Sequence, residues 1–214
     1  MRFLPLLAVL ALVACGASKH RETSTTPAPA NTGCAGVQAP APQMRHRKPP
    51  TAKLDPAKTY TVTLGTNCGS FSIRLAVKTS PKTTASFVSL VRSRFFDGTV
   101  FHRIVPGFVI QGGDPTATGS GGPGYLTVDR PPAKTHYTFG LVAMAKTKAQ
   151  PAGTSGSQFF VVTAADAGLP PDYAVLGEVV SGLPTVRRIG KLGDPTTERP
   201  TELVEIEHAT VAAR

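Results

Sequence analysis

The sequence of 214 residues contains no tryptophan, only three cysteines, and charged side chains at just 17% of its positions. Its ten Phe and four Tyr form no run of stacking aromatics, and no nucleic-acid-binding module accompanies the net charge of +10. We therefore exclude nucleic acid from the expected partners. The sequence also contains 20 Pro and 21 Gly. Few charges together with many Pro and Gly residues are typical of a turn-rich, mainly β domain.

No apolar run is long enough to span a bilayer as a mature helix. The longest, residues 3–14, follows Arg2 and ends at Cys15. A short apolar segment behind a positive charge is typical of a secretory signal peptide, which we predict over residues 1–14. The sequence LVAC at residues 12–15 resembles a bacterial lipobox, so we predict that Cys15 is lipidated and anchors the mature chain. The alternative is an ordinary signal peptide cut nearby, which would leave Cys15 as an incidental thiol.

Residues 15–54 are rich in Pro, Thr and Ala and poor in large apolar side chains. Such a composition buries too little apolar surface to offset the entropy of ordering, so we predict a lipidated, disordered tether. Residues 1–54 carry seven Lys or Arg against one Glu, which favours attraction to anionic lipid or cell-wall polymer. We interpret the basic run RHRK at residues 45–48 as a solvated linker rather than a specific binding motif.

Two cysteines remain once Cys15 is lipidated. Cys34 lies in the predicted tether, and Cys68 lies in the turn of the first predicted hairpin. An exported protein meets an oxidising compartment, where such cysteines are able to form a disulfide. The sequence leaves open whether Cys34 and Cys68 pair.

Residues 55–214 form the predicted domain, in which alternating apolar and polar residues indicate short strands. A Pro at the first helical position and helical apolar spacing predict a helix from residue 81 to about residue 94. A second, short helix is expected near residues 183–189. The predicted strands lie over residues 60–64, 71–77, 101–105, 108–111, 138–145, 158–163, 173–180 and 203–211. Many short strands with only two helices favour a closed antiparallel barrel.

The stretch at residues 101–114, FHRIVPGFVIQGGD, predicts two short strands broken at a Pro-Gly pair. Alternation places Phe101, Arg103 and Val105 on one face of the first strand, and Gln111 lies on a similarly mixed face of the second. Arginine is rarely buried among apolar groups without a partner, and no acidic residue is close to Arg103 in the sequence. The pattern predicts a half-open apolar pocket with polar groups at its rim.

Three blocks together resemble the signature of the cyclophilins, a family of peptidyl-prolyl cis/trans isomerases. They are FHRIVPGFVIQGGD at residues 101–114, GSGGPG at residues 119–124 and GSQFF at residues 156–160, and the similarity extends from about Tyr60 to Val211. It implies a closed eight-stranded antiparallel β-barrel capped by two helices, which we expect to be a monomer. The second block also matches a dinucleotide-binding G-x-G-x-x-G, but Pro123 and the strand-like residues after it supply no helix for a phosphate.

By this resemblance, Arg103 would donate a hydrogen bond to the prolyl nitrogen, and Gln111 would hold a substrate carbonyl. Rotation about an X–Pro bond makes and breaks no covalent bond, so we expect no metal and no cofactor. The residues implied in substrate binding are Phe108, Val109, Gly119, Ala145, Lys146, Thr147, Gln158, Phe160, Leu169 and Tyr173. For Phe108, Phe160 and Leu169 the alternative is ordinary core packing, and we interpret His102 as a structural histidine.

The chain departs from the family pattern at several positions. Tyr173 stands where a pocket histidine is usual, Gly168 where many members have tryptophan, and Lys146 where asparagine is common. In the family, that tryptophan contributes to cyclosporin binding, so we expect reduced sensitivity to the inhibitor. Arg103 and the pocket floor are retained, which favours a working catalyst.

The sequence therefore predicts a peptidyl-prolyl isomerase that acts on unfolded or exported polypeptides. We expect it to be lipid-anchored at the extracytoplasmic face of a bacterial membrane. Two alternatives remain at this point. The domain would be a non-catalytic proline-binding module or holdase, or the protein would be a wall-associated scaffold that acts through its basic tether.

Overall fold

The computed structural model describes Met1 and residues 33–214. The predicted signal peptide, the predicted lipidation site Cys15 and the first half of the predicted tether lie outside the described residues. None of the helices in the described part of the chain is long and apolar enough to cross a membrane.

Antiparallel strands dominate the described residues. In chain order the elements are β1 (Tyr60–Thr66), β2 (Gly69–Leu75), α1 (Pro81–Arg92), β3 (Thr99–Val100), β4 (Arg103–Val105), β5 (Val109–Gly112), β6 (Thr127–Val128), β7 (Leu141–Met144), β8 (Thr154–Ser155), β9 (Phe159–Val162), β10 (Val175–Ser181), α2 (Leu183–Ile189) and β11 (Glu205–Ala213). Nine strands form one sheet in the order β3-β11-β1-β2-β10-β7-β9-β5-β4, while β6 and β8 form a separate pair. The mainly β class with two helices is confirmed.

The predicted closed barrel of eight strands is wrong in two respects, because the sheet has nine strands and curls without closing. Its edge strands, β3 and β4, follow one another along the chain but do not pair with each other. Of the predicted strand over residues 101–105, only β4 forms, because Phe101 and His102 are a break between β4, which pairs with β5, and β3, which pairs with β11. Backbone N–H groups near this break bond to the C-terminal segment, from Phe101 to the Val204 carbonyl and from Ile104 to the Glu198 carbonyl.

The same break corrects the placement of Phe101. Alternation put its ring on the face of Arg103, but the ring lies in the main core, 6.4 Å from the Phe71 ring and 5.9 Å from the Phe159 ring between centroids. Alternation holds only within an unbroken strand. It therefore applies to Arg103 and Val105 within β4 and fails two residues earlier.

Helix α1 begins at the predicted Pro81 and ends at Arg92. The helix ends earlier than predicted because Arg94 has a positive φ of 54° and the Phe95 N–H bonds back to the Leu90 carbonyl. The buried face of α1 includes Phe87 and Leu90, which pack in the main core. Helix α2 occupies the predicted residues.

The sheet separates two apolar clusters. The main core lies on one face and contains alternate residues of the strands, such as Ile104, Ile110 and Val161. A smaller cluster on the other face includes Val109 and Phe160 and is flanked by partly buried apolar side chains. Because side chains alternate along a strand, one continuous sheet supplies both the core and a second apolar surface.

Residues 33–50, which we call the arm, lie along the surface of the domain. The arm is joined to the domain at one end by a disulfide between Cys34 and Cys68. Beside this bond the Ala35 N–H donates to the Asn67 carbonyl at 2.8 Å, and the Asn67 side-chain amide donates to the Ala35 carbonyl at 2.8 Å. The start of the arm is therefore fixed both covalently and by backbone pairing.

Two arginines fix the other end of the arm. Arg45 donates from Nη1 to the carbonyls of Phe95 and Asp97 at 2.5 and 2.7 Å. The Arg47 guanidinium lies 5.7 Å from the centre of the Phe95 ring, and its backbone N–H bonds to the Pro123 carbonyl at 2.8 Å. In the described part of the predicted tether, the arm thus makes specific contacts with the domain, and two residues of the basic run supply several of them. Composition counts apolar residues, whereas polar contacts and a disulfide hold the arm.

Removing the disulfide should destabilise the domain. The bond closes a loop across a sequence separation of 34 residues, for which the chain-entropy model gives at most about 4 kcal/mol. We expect Cys34→Ser to lower the free energy of unfolding in denaturant titration by about 2–3 kcal/mol. The loss is smaller than the full chain-entropy value because the released arm also regains conformational freedom in the folded state. As a control, Cys68→Ser and the double variant should unfold at the same denaturant concentration, since both lack the same bond. An unchanged midpoint in Cys34→Ser would contradict the prediction.

Candidate active site

The site is built on a row of residues that crosses the sheet. Arg103 on β4 lies opposite Gln111 on β5, and Gln111 lies opposite Phe160 on β9. Phe160 in turn lies opposite Ala143 on β7. Residues directly opposite each other in antiparallel strands point to the same face of the sheet, so this row brings a guanidinium, an amide and an aromatic ring together.

These side chains surround a small cavity of about 160 Å³, which we call the slot. The slot is lined by Arg103, Phe108, Val109, Gln111, Ala145, Lys146, Phe160, Leu169 and Tyr173. All nine are residues that the sequence singled out. Phe108 lies in the turn before β5, where strand alternation does not apply. It therefore lines the same cavity as its sequence neighbour Val109. Most of the lining is apolar or aromatic, and Arg103, Gln111 and Lys146 supply its charged and amide groups.

Tyr173 closes the slot in the position where the family usually has a histidine. Its ring meets the Phe160 ring edge-on, with centroids 5.4 Å apart. Tyr137, which the sequence analysis missed, is fully buried behind it. The Tyr137 hydroxyl donates to the Tyr173 carbonyl at 2.6 Å and accepts from the Tyr173 N–H at 3.0 Å. Burial raises the pKa of Tyr137, so the phenol stays protonated and keeps this donated bond.

Arg103 has an acidic partner that the sequence did not reveal. Its Nε lies 2.6 Å from Oε2 of Glu198, which is 95 residues further along the chain. Both side chains are partly exposed, at 35% and 43%, so the pair resembles a surface ion pair more than a buried one. The ion pair engages Nε, while Nη1 points toward Gln111 Oε1 at 3.5 Å, the outer limit of a hydrogen bond.

From Arg103 a line of polar contacts runs to the glycine-rich loop. The Gln111 amide donates to Gln158 Oε1 at 3.1 Å. Gln158 in turn donates to the carbonyls of Gly119 and Gly121 at 2.9 and 3.0 Å. Each amide is therefore held by a neighbour, so the orientation of Gln111 at the slot depends on the glycine-rich loop.

Lys146 brings a second cation to the slot, and its side chain is only 4% exposed. Its ammonium lies 2.5 Å from Asp172 Oδ2 and donates to the Gln150 carbonyl at 3.1 Å. It also lies 5.5 Å from the centre of the Tyr173 ring. Asp172, which was not predicted as a site residue, neutralises this lysine. Lys146 itself stands where asparagine is usual in the family.

A second, larger cavity of about 500 Å³ adjoins the slot, and we call it the flanking pocket. Gln111, Ala145 and Lys146 line both cavities. The remaining residues implied in substrate binding, Gly119, Thr147 and Gln158, line the flanking pocket. Two further lining residues, Met44 and His46, come from the arm, for which no site was predicted.

The carboxylate of Asp114 organises the glycine-rich loop that borders the flanking pocket. It accepts hydrogen bonds from the Thr116 N–H and hydroxyl, both at 2.7 Å, and from the N–H groups of Gly119 and Gly121 at 2.6 and 3.0 Å. Burial raises the pKa of Asp114, but these four hydrogen bonds outweigh it and hold the pKa below its usual value. A Cβ at position 121 would lie 2.0 Å from an Asp114 oxygen, so the loop closes this tightly only around glycine.

His102 lies outside the slot and the flanking pocket. Burial lowers the pKa of His102, whose ring lies behind the loop near Gly119 and lines neither cavity. Among the described residues, no three His, Cys, Asp or Glu side chains are grouped to hold a metal ion.

A family model described as "Cyclophilin type peptidyl-prolyl cis-trans isomerase/CLD" matches residues 61–211. The chain belongs to the cyclophilin family. Peptidyl-prolyl cis-trans isomerase A of Mycobacterium tuberculosis is 39% identical over 176 residues, which cover 73% of this chain and 94% of that protein. Peptidyl-prolyl cis-trans isomerase-like 1 of Gibberella zeae is 39% identical over 159 residues, which cover 72% and 95% of the two chains. This cyclophilin is accordingly a peptidyl-prolyl cis-trans isomerase.

Solved structures agree with this assignment. The crystal structure of a Cryptosporidium parvum cyclophilin-type isomerase superposes with a TM-score of 0.66 at 29% identity, covering 72% of this chain and 98% of that one. The same protein was also solved in the presence of the dipeptide Ala-Pro. The match to the family model begins at residue 61, so the arm of this cyclophilin lies outside it.

Acid should weaken this cyclophilin through Asp114. A carboxyl whose folded pKa is depressed stabilises the fold above the unfolded pKa of about 3.9, and the contribution is lost as the pH falls through the lower folded pKa. We expect Asp114→Asn to reduce the free energy of unfolding at neutral pH and to flatten its decline below about pH 4. The measurement is denaturant unfolding across a pH series. Asp55→Asn, at an exposed turn, is the matched control, and an equal loss in both variants would contradict the prediction.

Proposed function

We propose that this cyclophilin catalyses X–Pro rotation in proteins exported from the cytoplasm, while a lipid on Cys15 anchors it to the outer face of a bacterial membrane. The observation that carries the catalytic part is the slot, in which one guanidinium borders an apolar cavity beside an oriented amide. The arrangement suits a proline ring with its preceding carbonyl. Unfolded or newly exported polypeptides that contain proline are the expected substrates.

The reaction needs binding rather than bond chemistry. Rotation about the X–Pro bond meets a barrier of about 18–20 kcal/mol because amide resonance must be broken. As the bond twists, the prolyl nitrogen regains a localised lone pair. A donor aimed at that nitrogen binds the twisted state better than either planar state and so lowers the barrier.

In the proposed mechanism Arg103 is that donor. Its guanidinium is always charged, is a donor only, and has several N–H groups in a fixed fork. The bond from Nε to Glu198 fixes one edge of the fork and leaves the Nη edge on the side of Gln111. Gln111 would then bind the substrate carbonyl, because its amide is held in place by Gln158.

The apolar wall of the slot supplies the binding energy for the ring. Phe108, Val109, Phe160, Leu169 and Tyr173 would cover the pyrrolidine, and covering apolar area contributes about 25 cal/mol per Å². Strands β5 and β9 hold two of these residues rigidly. A fixed wall of this kind orients the ring while the bond before it turns.

Two observations support a location outside the cytoplasm. The first is the apolar leader that ends in LVAC at residues 12–15. The second is the disulfide between Cys34 and Cys68, since structural disulfides form and persist mainly in oxidising compartments. Anchoring by two or three acyl chains would be firm, whereas a single chain binds only marginally.

Replacing Arg103 tests the catalytic part. We expect Arg103→Ala to lower kcat/KM by about 10²–10³-fold, the usual cost of removing one transition-state donor. The assay follows an X–Pro peptide by protease coupling or by NMR exchange. Arg74→Ala is the matched control, because Arg74 lies on the same sheet, pairs with Glu178 at 3.2 Å, and is outside both cavities. Background rates in both wild type and Arg103→Ala would instead favour a non-catalytic proline-binding module.

Replacing Cys15 tests the location. We expect Cys15→Ser to abolish incorporation of labelled palmitate and to move the protein from the membrane fraction to the soluble fraction. Cys34→Ser removes a different cysteine and should retain both the label and the membrane association. Membrane association of Cys15→Ser equal to that of wild type would overturn the proposed anchor.

A further inference from the structure

The arm brings two side chains to the flanking pocket that the matched family region does not contain. Met44 and His46 line this pocket, whereas the match to the family model begins at residue 61. Any contribution they make to substrate recognition therefore belongs to this chain and not to the shared domain.

Anchored residues alternate with pocket residues along this part of the arm. The Gln43 N–H bonds to the Pro115 carbonyl at 2.9 Å, Arg45 bonds to the Phe95 and Asp97 carbonyls, and the Arg47 N–H bonds to the Pro123 carbonyl at 2.8 Å. Met44 and His46 lie between these anchors. With bonds to the domain on both sides of each, Met44 and His46 are held where they line the flanking pocket.

The glycine-rich loop fits the arm closely. Gly124 has a φ of +87°, and a Cβ built there would lie 2.6 Å from the His46 imidazole Nδ1. The next residue before it, Pro123, accepts the hydrogen bond from Arg47. Arm and loop therefore form one continuous wall, and that wall would not close with a larger residue at position 124.

The wall presents apolar surface to the pocket. Met44 is 65% exposed and Leu126 is 57% exposed, and both line the flanking pocket. Large apolar side chains that are exposed beside a cavity favour binding of an apolar ligand group, because covering them removes apolar surface from water. The nearby cation Lys146 is already paired with Asp172, so it gives the pocket little preference for an acidic ligand.

The flanking pocket continues directly from the slot, because Gln111, Ala145 and Lys146 line both. A peptide whose proline occupies the slot must pass its neighbouring residues over this shared border. We propose that Met44 and His46 are specificity-determining residues, which with Leu126 select a large apolar side chain next to the X–Pro pair. The proposal rests on the proposed function, since it requires proline in the slot.

The experiment measures selectivity in the full-length chain in detergent micelles. The peptides share one Ala-Pro core and carry either Leu or Gly immediately before or immediately after it. We expect wild type to favour Leu over Gly on one side of the core, as a ratio of kcat/KM values. Met44→Ala should lower that ratio by about fivefold, in keeping with the loss of a few methylene contacts at a half-open site. Met44→Leu should largely preserve it.

Further variants separate recognition from general damage. His46→Ala should lower the ratio, and so should Arg45→Gln, which releases the anchor beside Met44. Val180→Ala removes another exposed apolar side chain, outside both cavities, and should leave both rates unchanged. An unaltered ratio in Met44→Ala, or an equal fall for the Leu and Gly peptides, would overturn the proposal.

Failure of the proposed function gives a different result. In that case wild type accelerates none of the peptides. The Leu-to-Gly ratio is then taken from equilibrium Kd values for the same peptides. A Kd ratio that Met44→Ala lowers would still support the role of the arm, and a ratio that it leaves unchanged would overturn that role as well.

Discussion

The cross-strand register of β4, β5 and β9 is the constraint on which the active site depends. Arg103, Gln111 and Phe160 form one row because each lies opposite the next. Their neighbours Ile104 and Ile110 are fully buried in the main core on the other face. A slip of one residue would exchange the two faces, placing the guanidinium in the core and an isoleucine in the slot. Burial of these isoleucines on the opposite face of the sheet thereby positions Arg103, the proposed donor.

Much of the slot could be predicted from sequence because its residues lie in short, locally ordered blocks. Alternation within β4 and β5 placed Arg103 and Gln111 on a mixed face, and the resemblance extended the site to Phe160 and Tyr173. The same rule misplaced Phe101, since a two-residue break in the strand resets the alternation. The predicted closure of the barrel was wrong for a different reason, because the edge strands β3 and β4 do not pair with each other. A local sequence pattern describes one strand, whereas closure of a sheet depends on which distant segments form hydrogen bonds with its edge strands.

The contacts that escaped prediction join residues far apart in sequence. Glu198 meets Arg103 across 95 residues, and Arg45 of the arm bonds to carbonyls in the turn that follows α1, 50 and 52 residues further along the chain. Apolar content alone underestimates how ordered such a segment is. A few charged donors bonded to backbone carbonyls, together with one disulfide, offset the entropy cost of ordering it. The position of the domain boundary therefore depends on polar contacts that composition does not report.

Both cations at the slot come with a carboxylate, Arg103 with Glu198 and Lys146 with Asp172. The site is thus close to electrically neutral in total while retaining a directed donor. This suits a reaction in which no net charge is transferred, because an unpaired cation would select substrates by the charge of their side chains instead of by proline. In the proposed mechanism, stabilisation of the twisted amide then depends on the direction of one N–H group of Arg103, which the ion pair orients, and selection among substrates would depend on the apolar surfaces around the slot.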